Sequence, residues 1–202
     1  MLGLDLTYLW PDARSAEEIR NVGQAEVVAF YPHRSVAPRE IWTALFEKAA
    51  EHLDVLVYSG FWLSEHPGLH QLIRRKASSG TAVRFALGDP DSDEVARRGE
   101  DEGIGDALAG KIRNALVNFR DLIGDEGVEF RLHGTVLYNS LYRADDELFV
   151  NTHIYGMGAY LAPVMHLRRV PGADLFSTYA DSFEKVWADA SPLRSFDDIM
   201  VA

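Results

Sequence analysis

The stretch VEFRLHGTVLYNSLYRADDELFVNTHIYG, Val128 to Gly156, decides how the chain is read. Apolar residues alternate with polar ones in three short runs, VEFRLHG, LYNSLYR and ELFVNTHIY, which is the period of strands. The last two runs are joined around Ala144, Asp145 and Asp146, a hairpin turn by composition. His133, Tyr138, Asn139, Ser140, Arg143, Asn151 and His153 fall among residues that this pattern buries. A polar side chain inside a sheet costs free energy unless something pairs with it, and a ligand is one such partner.

Working outward, the preceding half alternates strands and helices. AEVVAFYPHR, from residue 25, is a continuous Val- and Phe-rich run of the kind found in strands covered on both faces. Pro38 opens a helical pattern through His52, with Ile41, Trp42, Leu45, Phe46 and Ala49 on one face. DVLVYSGFWL, residues 54–63, reads as a second strand, and a helix from Pro67 stops at Gly80 after a cationic last turn. Ala82 to Leu87 is a third strand, ending in the loop residues Gly88, Asp89, Pro90 and Asp91. Ser92 to Asn118 is helical in two pieces parted near Gly103 and Gly105. After the opening stretch come a strand at 164–170 and a helix from Asp174 to Ala188 with Leu175, Tyr179, Phe183 and Trp187 on one stripe. Strand and helix alternation followed by a strand-rich half predicts an α/β sandwich on a mixed sheet. One domain spans 25–190, preceded by an arm and linker over 1–24 and followed by an acidic tail over 191–202. In the arm, Leu4, Leu9 and Trp10 are candidate dimer contacts.

Composition bounds the partners. The 202 residues carry a formal net charge of -11, which repels phosphate backbones and argues against direct nucleic-acid binding by this chain. With no cysteine, disulfides and thiolate metal sites are excluded. No apolar run is long enough for a membrane span and no secretion signal opens the chain, so the expectation is a cytoplasmic protein without a membrane partner.

In open α/β sheets ligands settle at the carboxyl ends of strands. The residues there are Tyr31, His33 and Arg34 after the first strand, Tyr58 and Ser59 after the second, and Asp89 and Asp91 after the third. His33 beside Arg34 pairs a protonatable ring with a fork suited to carboxylate or phosphate. His133 serves either as nucleophile or acid/base, or as a structural hydrogen-bonded histidine. Tyr138, Asn139, Ser140, Asn151 and His153 either share a cavity or lie outward on an edge strand. Lys111 and Asn114 become anion contacts if their helix face looks over the pocket, and are a solvated face otherwise. Arg143 reads as a surface ion pair with Asp145 or Asp146. His33, His133 and His153 lack the compact spacing of metal ligands, so no metal and no cofactor are expected.

The ordered segments FYPHR (30–34), DVLVYSGFWL, VRFALGDPDSDEVARRGEDEGIGDAL, KIRNAL and LHGTVLYNSLYRADDELFVNTHIYG resemble the C-terminal domain of actinobacterial Xre-type helix-turn-helix transcriptional regulators. The resemblance covers nearly the whole chain. That domain in turn looks like a degenerate half of the phospholipase D superfamily, whose active members pair two His-x-Lys-x4-Asp motifs across a two-fold interface. His133 matches the motif's histidine, but Thr135 stands at the lysine position and Ser140 at the aspartate position; Asn151 to Ile154 stand where a Gly-Ser-x-Asn element would be. Loss of the phosphate-binding lysine removes a large catalytic contribution unless Arg34, Arg131 or Arg143 replaces it. The resemblance therefore implies a phospholipase D-like, non-catalytic domain that senses a small polar or phosphate-bearing ligand and forms a homodimer. Its alternatives are a phosphodiesterase using His133 across that dimer, and a pure protein-interaction module.

Overall fold

The computed structural model describes residues 16–66 and 68–196, and within them an eight-stranded mixed sheet in the order β1-β7-β6-β5-β2-β3-β4-β8. In chain order the elements are helix α1 (Ala16–Glu26), β1 (Val27–Tyr31), α2 (Arg39–Lys48), β2 (His52–Val57), the single turn α3 (Phe61–Ser64), α4 (Leu69–Ser78) and β3 (Ala82–Gly88). They continue with α5 (Asp93–Asp101), α6 (Ala107–Phe119), β4 (Val128–His133), β5 (Asn139–Ala144), β6 (Glu147–Thr152), β7 (Val164–Arg168), α7 (Leu175–Asp189) and β8 (Ser191–Leu193). Strands β2, β3 and β4 run parallel, and every other pairing is antiparallel. Among the described residues, no helix is long and apolar enough to cross a membrane.

Strand alternation assigns the two faces. Phe85 packs on Phe130 and on Phe119 of α6, with ring centroids 4.9 and 5.3 Å apart. Tyr142 meets Trp42 of α2 on the same side. The next residue along each strand points the other way: Arg84 lies over Phe183 and Trp187, and Arg143 over Phe176, all on α7. The result is a helix–sheet–helix sandwich. Beneath α7 the carboxylate of Asp54, with no exposed surface, accepts from Arg84 at 2.7 and 2.9 Å and from Arg143 at 3.3 Å.

Several expectations change. Residues 16–26 form a helix instead of a linker, and Leu4, Leu9 and Trp10 lie outside the described residues. Strand β1 is an edge strand and not one covered on both faces: Phe30 is 63% exposed. The buried Glu26 just before it accepts from the first amides of α7, Leu175 and Phe176, at 2.8 Å each, so a carboxylate sits where the helix dipole favours negative charge. The second strand ends at Val57, because Gly60 adopts φ +58 and turns the chain into α3. Ser191–Leu193 is not tail but an edge strand on β4. Arg143 is not a surface pair, since it bonds the Asp145 carbonyl and the buried Asp54.

The hairpin at Asp145 is tied to the start of β2. Asp145 itself has φ +50, and its carboxylate accepts the amides of Ala50, Glu51 and His52 at 2.8 to 2.9 Å. Those amides hold its pKa below the ordinary 3.8 despite partial burial. Asp145→Asn, which keeps the tolerance for this backbone, should cost about 1–3 kcal/mol in denaturant unfolding. The wild-type advantage should be complete above pH 3.8 and shrink as the pH falls below it through the depressed native value. Removal of the buried carboxylate in Asp54→Ala leaves Arg84 and Arg143 with only the half-exposed Glu184 to share and should cost about 3–5 kcal/mol by the same measurement.

Candidate functional site

The carboxyl end of β2, the start of β5 and the end of β6 meet at one edge of the sandwich because β5 runs antiparallel to both neighbours. A cleft of about 170 Å³ opens there, lined by Arg34, Tyr58, Ser59, Lys111, Ser140 and His153 and closed by Gly60, Glu102, Ile104, Leu108, Tyr142 and the segment Gly158 to Tyr160. Val57 completes the wall. Of the residues singled out in the sequence, Arg34, Tyr58, Ser59, Lys111 and His153 are thus brought together.

His153 anchors the cleft. Its Nδ1 donates to the Leu137 carbonyl at 3.1 Å, which leaves Nε2 of the neutral ring to accept the Ser140 hydroxyl at 2.9 Å. The ring stacks on Tyr58 at 5.6 Å, and the Tyr58 hydroxyl accepts the Leu137 amide at 2.9 Å. Burial, and then the Arg98 and Arg34 charges, push the His153 pKa down to about 4. An imidazole this acidic is a weak base at neutral pH, so Ser140 keeps its proton and the pair acts as a fixed hydrogen bond.

Charge in the cleft is uneven. Glu102 is tied to Arg98, whose Nε lies 2.8 Å from its carboxylate and whose other end donates to the Met157 carbonyl at 3.0 Å. Arg34 lies over the Trp62 ring at 5.0 Å, and among the described residues neither Arg34 nor Lys111 has an acidic partner. Two unpaired cations beside hydroxyls and a neutral histidine suit an anion.

The other candidates are placed elsewhere. His133 is 1% exposed; its Nε2 donates to the Val57 carbonyl at 3.0 Å and its Nδ1 accepts the Thr135 amide at 3.3 Å. Burial lowers its pKa, and with both nitrogens engaged it offers no lone pair to phosphorus, so it does not line the cleft. His33 gives Nδ1 to the Leu161 carbonyl at 2.6 Å, and Tyr31 ends β1 beside Val164. Asp89 closes its own loop by accepting the Asp91 amide at 3.0 Å, and Asp91 pairs with Arg113. Asn114 faces solvent, Tyr138 is 78% exposed, and Asn139 opens β5 opposite Thr152. Asn151 is fully buried and pins the loop before β7 by donating to Ala162 and Pro163 at 3.3 and 3.0 Å. Of the three arginines singled out in the sequence, Arg131 is taken by the Trp187 carbonyl and ring and Arg143 by Asp54, whereas Arg34 lines the cleft. Among the described residues no group of three His, Asp or Glu is placed to hold a metal ion.

Sequence reading missed Glu102 and Tyr160. The first carried a usable signal, an Arg98–Glu102 spacing of four at the end of a helix, whereas Tyr160 lies in a single 3-10 turn, Ala159–Leu161, too short to show a period.

No protein-family model matches the chain, and no curated protein matches its sequence. Solved structures do. TrmBL2, an archaeal chromatin protein with a novel mode of DNA binding, is 11% identical over 92% of this chain at a TM-score of 0.51, and the chain spans 58% of its length. Phosphatidylserine synthase of Haemophilus influenzae Rd KW20 is 14% identical over 84% of this chain at a TM-score of 0.54, with 40% of the synthase covered. Nuc, a phospholipase D family member from Salmonella typhimurium, is 13% identical over 83% of this chain and 96% of its own, at a TM-score of 0.48. The chain has a mixed α/β, phospholipase D-like fold, and at such identities the likeness is one of fold. No sequence match ties it to the actinobacterial regulators.

The His153 ring should titrate near pH 4 in a ¹⁵N NMR experiment, well below the ordinary 6.5. Because the unfolded ring takes up its proton first, this histidine's contribution to stability is complete above pH 6.5 and is lost as the pH falls towards 4. In His153→Asn that part of the acid loss should be absent from pH-dependent unfolding curves.

Proposed function

We propose that the chain is a non-catalytic, ligand-sensing domain of a helix-turn-helix transcriptional regulator, and that it holds a small phosphate-bearing anion between Arg34 and Lys111. The observation that carries this reading is a cleft lined by Arg34 and Lys111, neither with an acidic partner among the described residues, next to the hydrogen-bonded Ser140–His153 pair. The buried, doubly bonded His133 supports binding over turnover as well. In this reading Arg34 takes up the charge recognition of the lost lysine, while Ser59 and Ser140 orient the oxygens. Ligand binding then biases two arrangements of a homodimer, and with them the attached DNA readers. The fold shared with an archaeal chromatin protein, of which the chain covers only part, accords with a module that works beside a DNA-binding segment.

The purified protein should show a rise in melting temperature with nucleoside monophosphates or inorganic phosphate and no hydrolysis of bis(nitrophenyl) phosphate. Arg34→Ala and Lys111→Ala should each weaken binding roughly ten- to a hundredfold by calorimetry. Hydrolysis that disappears in His133→Ala would overturn the reading in favour of a phosphodiesterase.

A further inference from the structure

A second pocket, of about 190 Å³, lies on the helical face between α2 and α4, away from the cleft. Its floor is made of Trp42, Phe46, Leu63, Leu69 and Leu72, all buried as residues yet facing this opening. An apolar cavity of ~150 Å³ stays dry and takes up benzene, so a floor of this kind gains by filling with a ring and not with water. The wall is not wholly apolar. The Thr43 hydroxyl has two long contacts, 3.5 Å to the Arg39 carbonyl and 3.4 Å to His66 Nε2, so it can turn to a better partner at little cost.

The mouth selects against two other kinds of occupant. Glu47 and Arg75 face each other across it at 2.6 and 2.7 Å, and with both charges satisfied the rim has none to offer a charged ligand. These ionised groups, with exposed Gln71 and Arg74 beyond them, would have to be stripped of water under a protein surface, whereas the centres of protein interfaces are depleted of charge. We propose that this pocket is a second ligand site that takes a small neutral aromatic molecule bearing one hydrogen-bonding group, with the ring on Trp42 and Leu72 and the polar group on Thr43.

Indole is the probe, titrated into the methyl-labelled full chain, with inorganic phosphate titrated in a separate arm. Indole should shift the Leu63 and Leu72 methyl signals saturably while the Val57 and Leu108 methyls, which report the cleft, stay in place. Leu72→Phe, which fills the space, should weaken indole about tenfold. If that variant is unfolded, Thr43→Val serves instead: it should weaken indole several-fold while leaving toluene binding unchanged. The assignment is overturned if no saturable shift occurs up to the solubility of indole, or if the shifts lie in the cleft. It also falls if the Leu72 signals move with protein concentration alone, which would mean that a second copy fills the pocket. Failure of the phosphate arm would remove the proposed anion site and leave this one standing.

Discussion

The buried carboxylate of Asp54 is the point where two halves of the sheet are joined. It sits on β2, takes Arg84 from the parallel side and Arg143 from the antiparallel side, and has no contact with solvent. Glu184 of α7 adds a second carboxylate to Arg84 at 2.7 Å, and this bond draws its own pKa below the ordinary range. A charge buried in this way is tolerable only when every partner is in place, so the network sets the lateral position of β3 and β5 and seats α7 at once. The same registration carries the start of β5 to the end of β2, which is where the cleft forms.

Polar residues of the interior thus divide by what satisfies them. His133, Asp145 and the side-chain nitrogen of Asn151 are bonded to backbone groups, and each of them fastens one segment of chain to another. His153 gives only one nitrogen to the backbone; its second bonds the Ser140 hydroxyl in the cleft. A histidine held neutral by burial and by nearby arginines adds no charge of its own, so the local field is set by Arg34 and Lys111 together with the Arg98–Glu102 pair. The chain as a whole carries a net charge of -11, so these two cations stand out against an acidic background.

Much of the fold was legible in the sequence, for reasons that differ by element. The hairpin at Asp145 was marked by alternation on both sides of a turn, and the break between α5 and α6 by Gly103 and Gly105, both at positive φ. Strand β1 misled because a continuous apolar run does not say whether a neighbour lies on each side; chain topology left it at an edge. The short strand β8 carries only three residues, too few for any period, and its pairing depends on where α7 ends. Among the cleft residues, Arg34, Tyr58 and Ser59 were within reach because strand ends are where α/β sheets gather ligands, Lys111 through its helix face and His153 through polar residues alternating in the strand-rich half.

What the amino-acid order determined by itself is the succession of strands and helices and the mixed α/β class. These are local properties: periodicity, turn residues and side-chain identity act over a few positions. Only the tertiary structure decided that His133 is sealed against Val57 and Thr135 while His153 opens on the cleft, and that Arg34 lines that cleft. Hydrogen bonding between residues dozens of positions apart makes that choice, since a polar side chain goes to whichever partner the folded chain brings within about 3 Å.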